Sequence, residues 1–436
     1  MAAAVLIVLF AGWLRTVAAA DTQLDHPFRA DAIQYYKTAY NLRAHGVYSH
    51  VVNEVNGVDE TPQPDAFLTP GYPLFLALFV DAPPNTQAYS EITGYQALLA
   101  ILAVILVLLL FRTFSPWIAL PAALLAAISP HLISAATFIL SETLFSVVLL
   151  LSLLVLGWHA RGSRWYLPSL FAGGVLLGVA ALTRPVVELF PMAVVFLLWV
   201  SYDRRTALRG SAVLILGVCL AWAPWIARNY VSLGRSGDPA NMVRTLSIGM
   251  YPDLEYDHDP RSNGEPDKLD PRYTEISTSP GAALDEIGRR FRDNPREELR
   301  WYLIGKPVML WSWHDVGGGP DVFIYPVFRS PYTSSKPFIL THSVMYGLHW
   351  PLVILALVGC LLAWLPRARS WLAREPLFLA RLMSLLLLYN TVVLMVLAPF
   401  VRYSIPFLPI QYGMAATALY LVARWWRQRG GGAPAQ

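Results

Sequence analysis

Of the 436 residues, 56% are hydrophobic and only 14% charged, beyond the apolar share of soluble domains, which reads as an all-α polytopic membrane protein. The formal net charge is +4, but the arginines sit in short loops between apolar runs, where they set topology; membrane lipids are the expected partner and nucleic acid is excluded. Cys219 and Cys360 both lie inside apolar runs, so neither a disulfide framework nor a thiolate metal site is indicated.

A membrane-crossing helix needs about 20 mostly apolar residues, and on that measure about ten spans are expected. They fall near residues 1–20, 88–111, 116–134, 141–159, 166–183, 185–201, 210–227, 338–364, 376–398 and 403–423. In the first, "VAAAD" resembles a signal-peptide cleavage site. No basic residue precedes the apolar run, however, and Arg15 interrupts its end, so the segment is read as a retained helix. Four loops are basic, carrying Arg161 and Arg164; Arg204, Arg205 and Arg209; Arg367, Arg369 and Arg374; and Arg424, Arg427 and Arg429. Alternation puts all four on one face, the cytoplasmic one by the positive-inside rule. A multi-pass protein of the inner (plasma) membrane is implied, with residues 21–87 and 228–337 outside, in a periplasm or its equivalent.

The first outer region opens with "HPFRADAIQYYKTAYNLRAHGVYS", an amphipathic segment with Asp31, Tyr35 and Thr38 on one helical face and Ala32, Tyr36 and Tyr40 on another. Its aromatic side suits the membrane interface. Spacing alone leaves Asp31 as the opening residue of a surface helix or as a functional carboxylate. The stretch "ETPQPDAFLTPGYPLFLALF" follows, with an apolar tail too short to span, and reads as a re-entrant or interfacial helix. The second outer region, 228–337, holds roughly half of the charged residues and includes a helical part in which Pro295 should break or restart the helix. The chain thus divides into a module of residues 1–227, the outer region 228–337, carboxy-terminal spans 338–426, and a tail 427–436 expected to be disordered.

Glu142, Arg184, Arg228 and Arg402 stand at the ends of spans, and topology puts all four on the boundary that also holds Asp31. Singly, each could snorkel or pair with a neighbour. Together, three guanidinium groups and two carboxylates could converge on one cavity, where arginines suit an anionic phosphate and a carboxylate suits a general base. Metal signals are weaker. Asp257 to Asp259, Asp25 with His26, and His314 with Asp315 have no diagnostic ligand spacing.

These features in order resemble the GT-C membrane glycosyltransferases, in the family that holds protein O-mannosyltransferases and lipid A aminoarabinose transferases. The pieces are "DAIQYYKTAYNL", "TPGYPLFLALF", "SETLF", "LTRP", "PWIARN" and "RYSIPFLP". The resemblance implies sugar transfer, with inversion, from a polyprenyl-phosphate donor to a hydroxyl of a glycan, lipid or protein acceptor on the exterior face. It implies Asp31 as general base; Arg402, Arg228 and Arg184 as the cations holding the donor phosphate; and Glu142, Tyr35, Tyr36 and Tyr72 as groups positioning acceptor or sugar. No cofactor is certain, and a divalent metal is possible. One departure is Thr69, which stands where the aminoarabinose enzymes carry a lysine before the proline of the short helix. A transporter or flippase of a lipid-linked saccharide is the alternative, although such proteins place their polar groups near the midplane of two repeated halves; a membrane scaffold would need no such gathering of charges.

Overall fold

The computed structural model describes residues 2–51, 53–55 and 58–430. In chain order the helices are α1 (Ala2–Asp21), α2 (Ala30–His45), α3 (Gly71–Leu76), α4 (Thr86–Arg112), α5 (Pro116–Ile128), α6 (Pro130–Ala135), α7 (Glu142–Gly157), α8 (Ser163–Thr183), α9 (Phe190–Ser201) and α10 (Arg204–Leu233). There follow α11 (Ala240–Gly249), α12 (Tyr273–Ile276), α13 (Pro280–Asp293), α14 (Pro295–Arg300), α15 (Lys306–Leu310), α16 (Pro331–Ser334), α17 (Lys336–Leu362), α18 (Ala368–Trp371), α19 (Arg374–Val396) and α20 (Leu408–Gly430). Two short antiparallel pairs complete the fold: β1 (Gln23–Leu24) with β4 (Val327–Arg329), and β2 (Asn53–Val55) with β3 (Val58–Glu60). The first pair ties the segment before α2 to the long segment before α17.

Among the described residues eight helices are long and apolar enough to cross a membrane, and two shorter apolar helices accompany them. The protein is therefore an all-α multi-pass membrane protein. The bundle is layered, with α7 and the last span mostly enclosed by other helices while α1, α10 and α17 turn most of their apolar surface outward. Arg15 is fully buried, and its guanidinium donates to the Ala126 and Ala127 carbonyls at 2.9 Å each. It thereby caps the end of α5, whose last carbonyls lack partners within the helix.

Four boundaries differ from the sequence reading, each for a local reason. The span expected over 116–134 breaks at Ser129, which takes an extended ψ of 116° because Pro130 disfavours the helical conformation in the residue before it. The span expected over 185–201 starts as a 3-10 turn at Pro185–Val187 and becomes α-helical only at Phe190. The span expected over 210–227 runs instead from Arg204 to Leu233 with Pro224 inside it. Asp203 caps its start, accepting from the Arg205 and Thr206 amides, and Gly234 in the left-handed region ends it. Finally, α20 reaches Gly430, into the tail expected to be disordered; residues 431–436 lie outside the described residues. The expected break near Pro295 is present, with α13 ending at Asp293 and Pro295 opening α14.

Candidate active site

At one end of the bundle Asp31, Tyr35, Tyr72, Glu142, Arg184 and Arg402, six of the residues flagged from sequence, are brought together. Helix α2 is ended by Gly46, whose φ of 70° only glycine adopts at no cost. Its first turn holds Asp31, immediately after Ala30, whose φ is +46°. The side expected to lie in the membrane interface packs on protein instead. Tyr36 and Ala39 are fully buried, the Tyr36 hydroxyl donates to the Ala82 carbonyl at 2.9 Å, and Phe28 meets the Tyr36 ring edge-on at 4.9 Å. Tyr36 is thus a packing residue placed away from the charged cluster.

Tyr35, one position earlier, faces the cluster. Its hydroxyl is 3.4 Å from Ser141 Oγ, and its ring stands edge-on to Tyr72 at 4.9 Å. Tyr72 sits on α3, buried, and donates to Gln96 Oε1 at 2.6 Å. Helix α3 can approach only because Gly71 lacks a side chain: a Cβ there would stand 2.8 Å from the Thr183 Cα. The neighbouring Thr69 hydroxyl lies 3.4 Å from the Thr183 carbonyl that it donates to. Thr69 thus packs against the end of α8.

Arg184 follows that helix end. Pro185 forces it into an extended conformation, φ −144° and ψ 117°, so the helix stops and the side chain enters the bundle. Its NH1 donates to Glu142 Oε1 at 2.8 Å and to Ser141 Oγ at 3.1 Å. Glu142 opens α7, where the helix dipole favours a carboxylate. It is 2% exposed, and its second oxygen has no hydrogen-bond partner among the described residues. A small cavity of about 20 Å³ lined by Arg15, Ala100, Ala126, Glu142, Thr143 and Ile405 lies beside it, with room for one or two waters.

Arg402 lies in a 3-10 turn, Val401–Tyr403, that precedes α20. Its Nη2 is 2.7 Å from Asp31 Oδ2, with the Asp31 side chain 33% exposed and the Arg402 side chain 19%. The Tyr403 ring joins the two ion pairs, lying 5.2 Å from each of the Arg184 and Arg402 guanidinium carbons. Burial pushes the Asp31 carboxyl up, but Arg402, helped by Arg244 and Arg184, more than offsets this and leaves it below the ordinary carboxylate value.

Arg228 is placed differently. Pro224 does not open the helix before it, and its guanidinium donates to the Asp65 carbonyl at 2.6 Å, the Tyr48 carbonyl at 2.9 Å and Asn229 Oδ1 at 2.9 Å. Those bonds, with stacking on Tyr48 and Trp225, fasten the loop after α2 and commit the side chain that sequence reading offered to a phosphate.

Sequence reading missed Ser141, Tyr403 and Arg244. Ser141 and Tyr403 each adjoin a flagged charge. Arg244, on α11, has no neighbouring proline or partner to mark it, and only the fold carries it near Asp31. It is exposed, without a hydrogen bond or ion pair among the described residues, yet its charge acts on the Asp31 carboxylate. Among the described residues no group of three or more His, Cys, Asp or Glu side chains is placed to hold a metal ion.

Residues 33–232 match the family model described as dolichyl-phosphate-mannose-protein mannosyltransferase. No curated protein sequence matches the chain. Among solved structures, the archaeal oligosaccharyltransferase AglB from Archaeoglobus fulgidus, in complex with an inhibitory peptide and a dolichol-phosphate, superposes with a TM-score of 0.54 at 15% identity, covering 100% of this chain and 52% of that one. A second structure of the A. fulgidus enzyme, with Zn and sulfate, gives 0.55 at 15% identity over 98% of this chain and 50% of that one. ArnT from Cupriavidus metallidurans, bound to undecaprenyl phosphate, gives 0.42 at 14% identity, covering 96% and 77%. The chain thus spans about half the length of the oligosaccharyltransferase it resembles. The fold is similar to that of GT-C glycosyltransferases, and the resemblance carried by the sequence pieces stands.

Proposed function

We propose that the protein is a membrane glycosyltransferase that moves a hexosyl or pentosyl group from a polyprenyl-phosphate donor to a hydroxyl of a glycan, lipid or protein acceptor. The reaction takes place at the end of the bundle that carries residues 21–87 and 228–337, which we take as the periplasmic or exterior face. The observation that carries this reading is the 2.7 Å contact of Asp31 with Arg402 at a partly open mouth. A carboxylate and a guanidinium that reach both solvent and each other can exchange partners when a phosphate arrives. The family-model match over residues 33–232 supports a lipid-phosphate sugar as donor.

In the resting site the four charges cancel: Asp31 and Glu142 carry two negative charges, Arg402 and Arg184 two positive ones. A donor phosphate finds its free cation in Arg244 and then competes with Asp31 for Arg402, which binds both carboxylate and phosphate well. Release from Arg402 raises the basicity of Asp31, which takes the acceptor O–H proton as the oxygen forms its bond to the anomeric carbon. The C–O bond to phosphate breaks on the opposite side, the electron pair leaves with the polyprenyl phosphate, and the configuration inverts. Arg402 and Arg244 then meet the growing negative charge, the kind of fixed stabilisation that counts most in transfer chemistry. Arg184 stays with Glu142 and Ser141, holding Tyr35 and the acceptor side of the site in place.

The test is to reconstitute the purified protein with a panel of polyprenyl-phosphate sugars, with and without a chelator of divalent ions, and to compare sugar release by wild type and Asp31→Asn. Wild-type release with one donor and a loss of about 10²–10⁴-fold in the variant is expected. Normal turnover by the variant removes Asp31 as base. Lipid movement between leaflets without sugar release replaces this reading by the flippase.

A further inference from the structure

The turn that carries Arg402 sits between the end of α19 and the start of α20, and both of its ends are held by one remote segment. At the α19 end, Lys306 is wholly buried, and its Nζ donates to the carbonyls of Met395 at 2.8 Å, Leu397 at 3.1 Å and Val396 at 3.4 Å. These carbonyls terminate α19 and lack onward helical partners, so an N–H donor there satisfies the unpaired acceptors at the end of the helix. The ammonium also stands 3.7 Å from the centre of the Tyr302 ring. At the α20 end, Asp315 Oδ1 accepts from the Val401 amide at 3.0 Å and from the Val316 amide at 3.0 Å. Val401 is the first residue of the 3-10 turn, so the carboxylate acts as a cap supplied from another part of the chain, with the anion on the amide end where the dipole favours it.

Between these two ends, Ala398 is fully buried among Ile248, Leu254 and Trp301. Gly249 approaches so closely that a Cβ on it would be 2.5 Å from the Leu397 carbonyl oxygen. The Trp301 indole donates to the Gly249 carbonyl at 3.0 Å, closing the ring of contacts.

We infer that Lys306 and Asp315 are positioning residues that clamp residues 397–401 from both sides and so fix where the Arg402 guanidinium stands relative to Asp31. Neither contacts Asp31, and Asp315 faces the charge of Arg402 as well as the backbone of its turn. They act through the backbone of the turn, and because both come from residues 228–337, they link the placement of the phosphate-binding arginine to the segment that stands over the site. The inference deepens the glycosyltransferase reading and rests on it for its catalytic consequence; the clamp itself does not.

The experiment uses the full chain in lipid nanodiscs and measures amide hydrogen exchange over residues 397–404 for wild type, Asp315→Ala, Asp315→Asn and Lys306→Met, with melting temperature recorded for each. Donor turnover is read in parallel. In Asp315→Ala, exchange of these amides is expected to rise about tenfold while α8 is unchanged, as for loss of one buried hydrogen bond to a charged acceptor. Asp315→Asn keeps an oxygen in place for the Val401 amide and is expected to stay within about twofold of wild type. Turnover is expected to follow, about tenfold lower in the alanine variant and restored by asparagine. Unchanged exchange in Asp315→Ala, or asparagine as damaging as alanine, overturns the clamp. Faster exchange with full turnover overturns its bearing on Arg402. A wild type with no transferase activity would refute the glycosyltransferase reading alone, because the exchange arm still decides the clamp.

Discussion

The two ion pairs of the site have the same chemistry and opposite settings. Glu142 and Arg184 meet at 2.8 Å with side chains 2% and 15% exposed, whereas Asp31 and Arg402 meet at 2.7 Å with 33% and 19% exposed. The first pair sits on the ends of α7 and α8, is further bonded to Ser141, and is closed off by the bundle. The second joins the first turn of α2 to the turn before α20, open to what lies over the site. A buried pair is costly to break because the survivor is left unpaired, while a pair at a mouth can exchange its partner for a ligand. Depth thus separates the two pairs, one closed within the bundle and one at its mouth.

The comparison breaks most decisively on activity. Asp31→Asn is expected to lower turnover by about 10²–10⁴-fold with a melting temperature near that of wild type, and the equivalent change at Glu142 should not reproduce that combination. Stability should show the reverse. Glu142→Ala, which strands Arg184, is expected to cost about 3–5 kcal/mol, and Asp31→Ala, which leaves Arg402 at a partly open mouth, should cost less; thermal unfolding in detergent followed by tryptophan fluorescence distinguishes the two.

The pH profile sharpens the same contrast. Because the Asp31 carboxyl is held below its ordinary value, its pairing contributes fully above the unfolded carboxylate pKa of about 3.9 and is lost only as pH falls through the lower folded value. The acid limb of kcat/KM should therefore lie below the ordinary carboxylate range. In Arg402→Gln the remaining burial is expected to shift that limb upward; a limb that stays put would detach the two residues.

Smaller effects test the placement of the other flagged groups. Arg228→Lys should loosen the loop after α2 and cost about 1 kcal/mol while leaving donor KM within about twofold, since its guanidinium holds the Tyr48 and Asp65 carbonyls. A large rise in donor KM would return it to the phosphate. Tyr36→Phe removes a single hydrogen bond to Ala82 and should cost about 1 kcal/mol without touching turnover.

The helical class and the approximate positions of the spans were legible from apolar run length, and Glu142, Arg184, Arg228 and Arg402 from the cost of placing charge beside hydrocarbon; Asp31 was singled out only by the family resemblance. Periodicity divided α2 into two faces but could not say what each face meets. Tyr35 turns to the charges and Tyr36 to Phe28 and Ala82, because α3 and the Ala82 turn pack on α2 from distant parts of the sequence. Prolines were an unreliable guide for the same reason. Pro185 ends α8 and aims Arg184, while Pro224 is absorbed inside α10, where the helix continues past it.

By itself the sequence determined that this chain is a bundle of membrane-spanning helices with unusual charges gathered at their ends, since both follow from local composition and the energetics of burying charge. Which carboxylate meets which arginine, that Arg228 holds backbone carbonyls, and that the charge of Arg244 reaches Asp31 while its side chain makes no hydrogen bond or ion pair among the described residues were decided only in the folded bundle. Partner choice depends on distances between residues from tens to hundreds of positions apart, and those are set by helix packing and by turns held from remote segments.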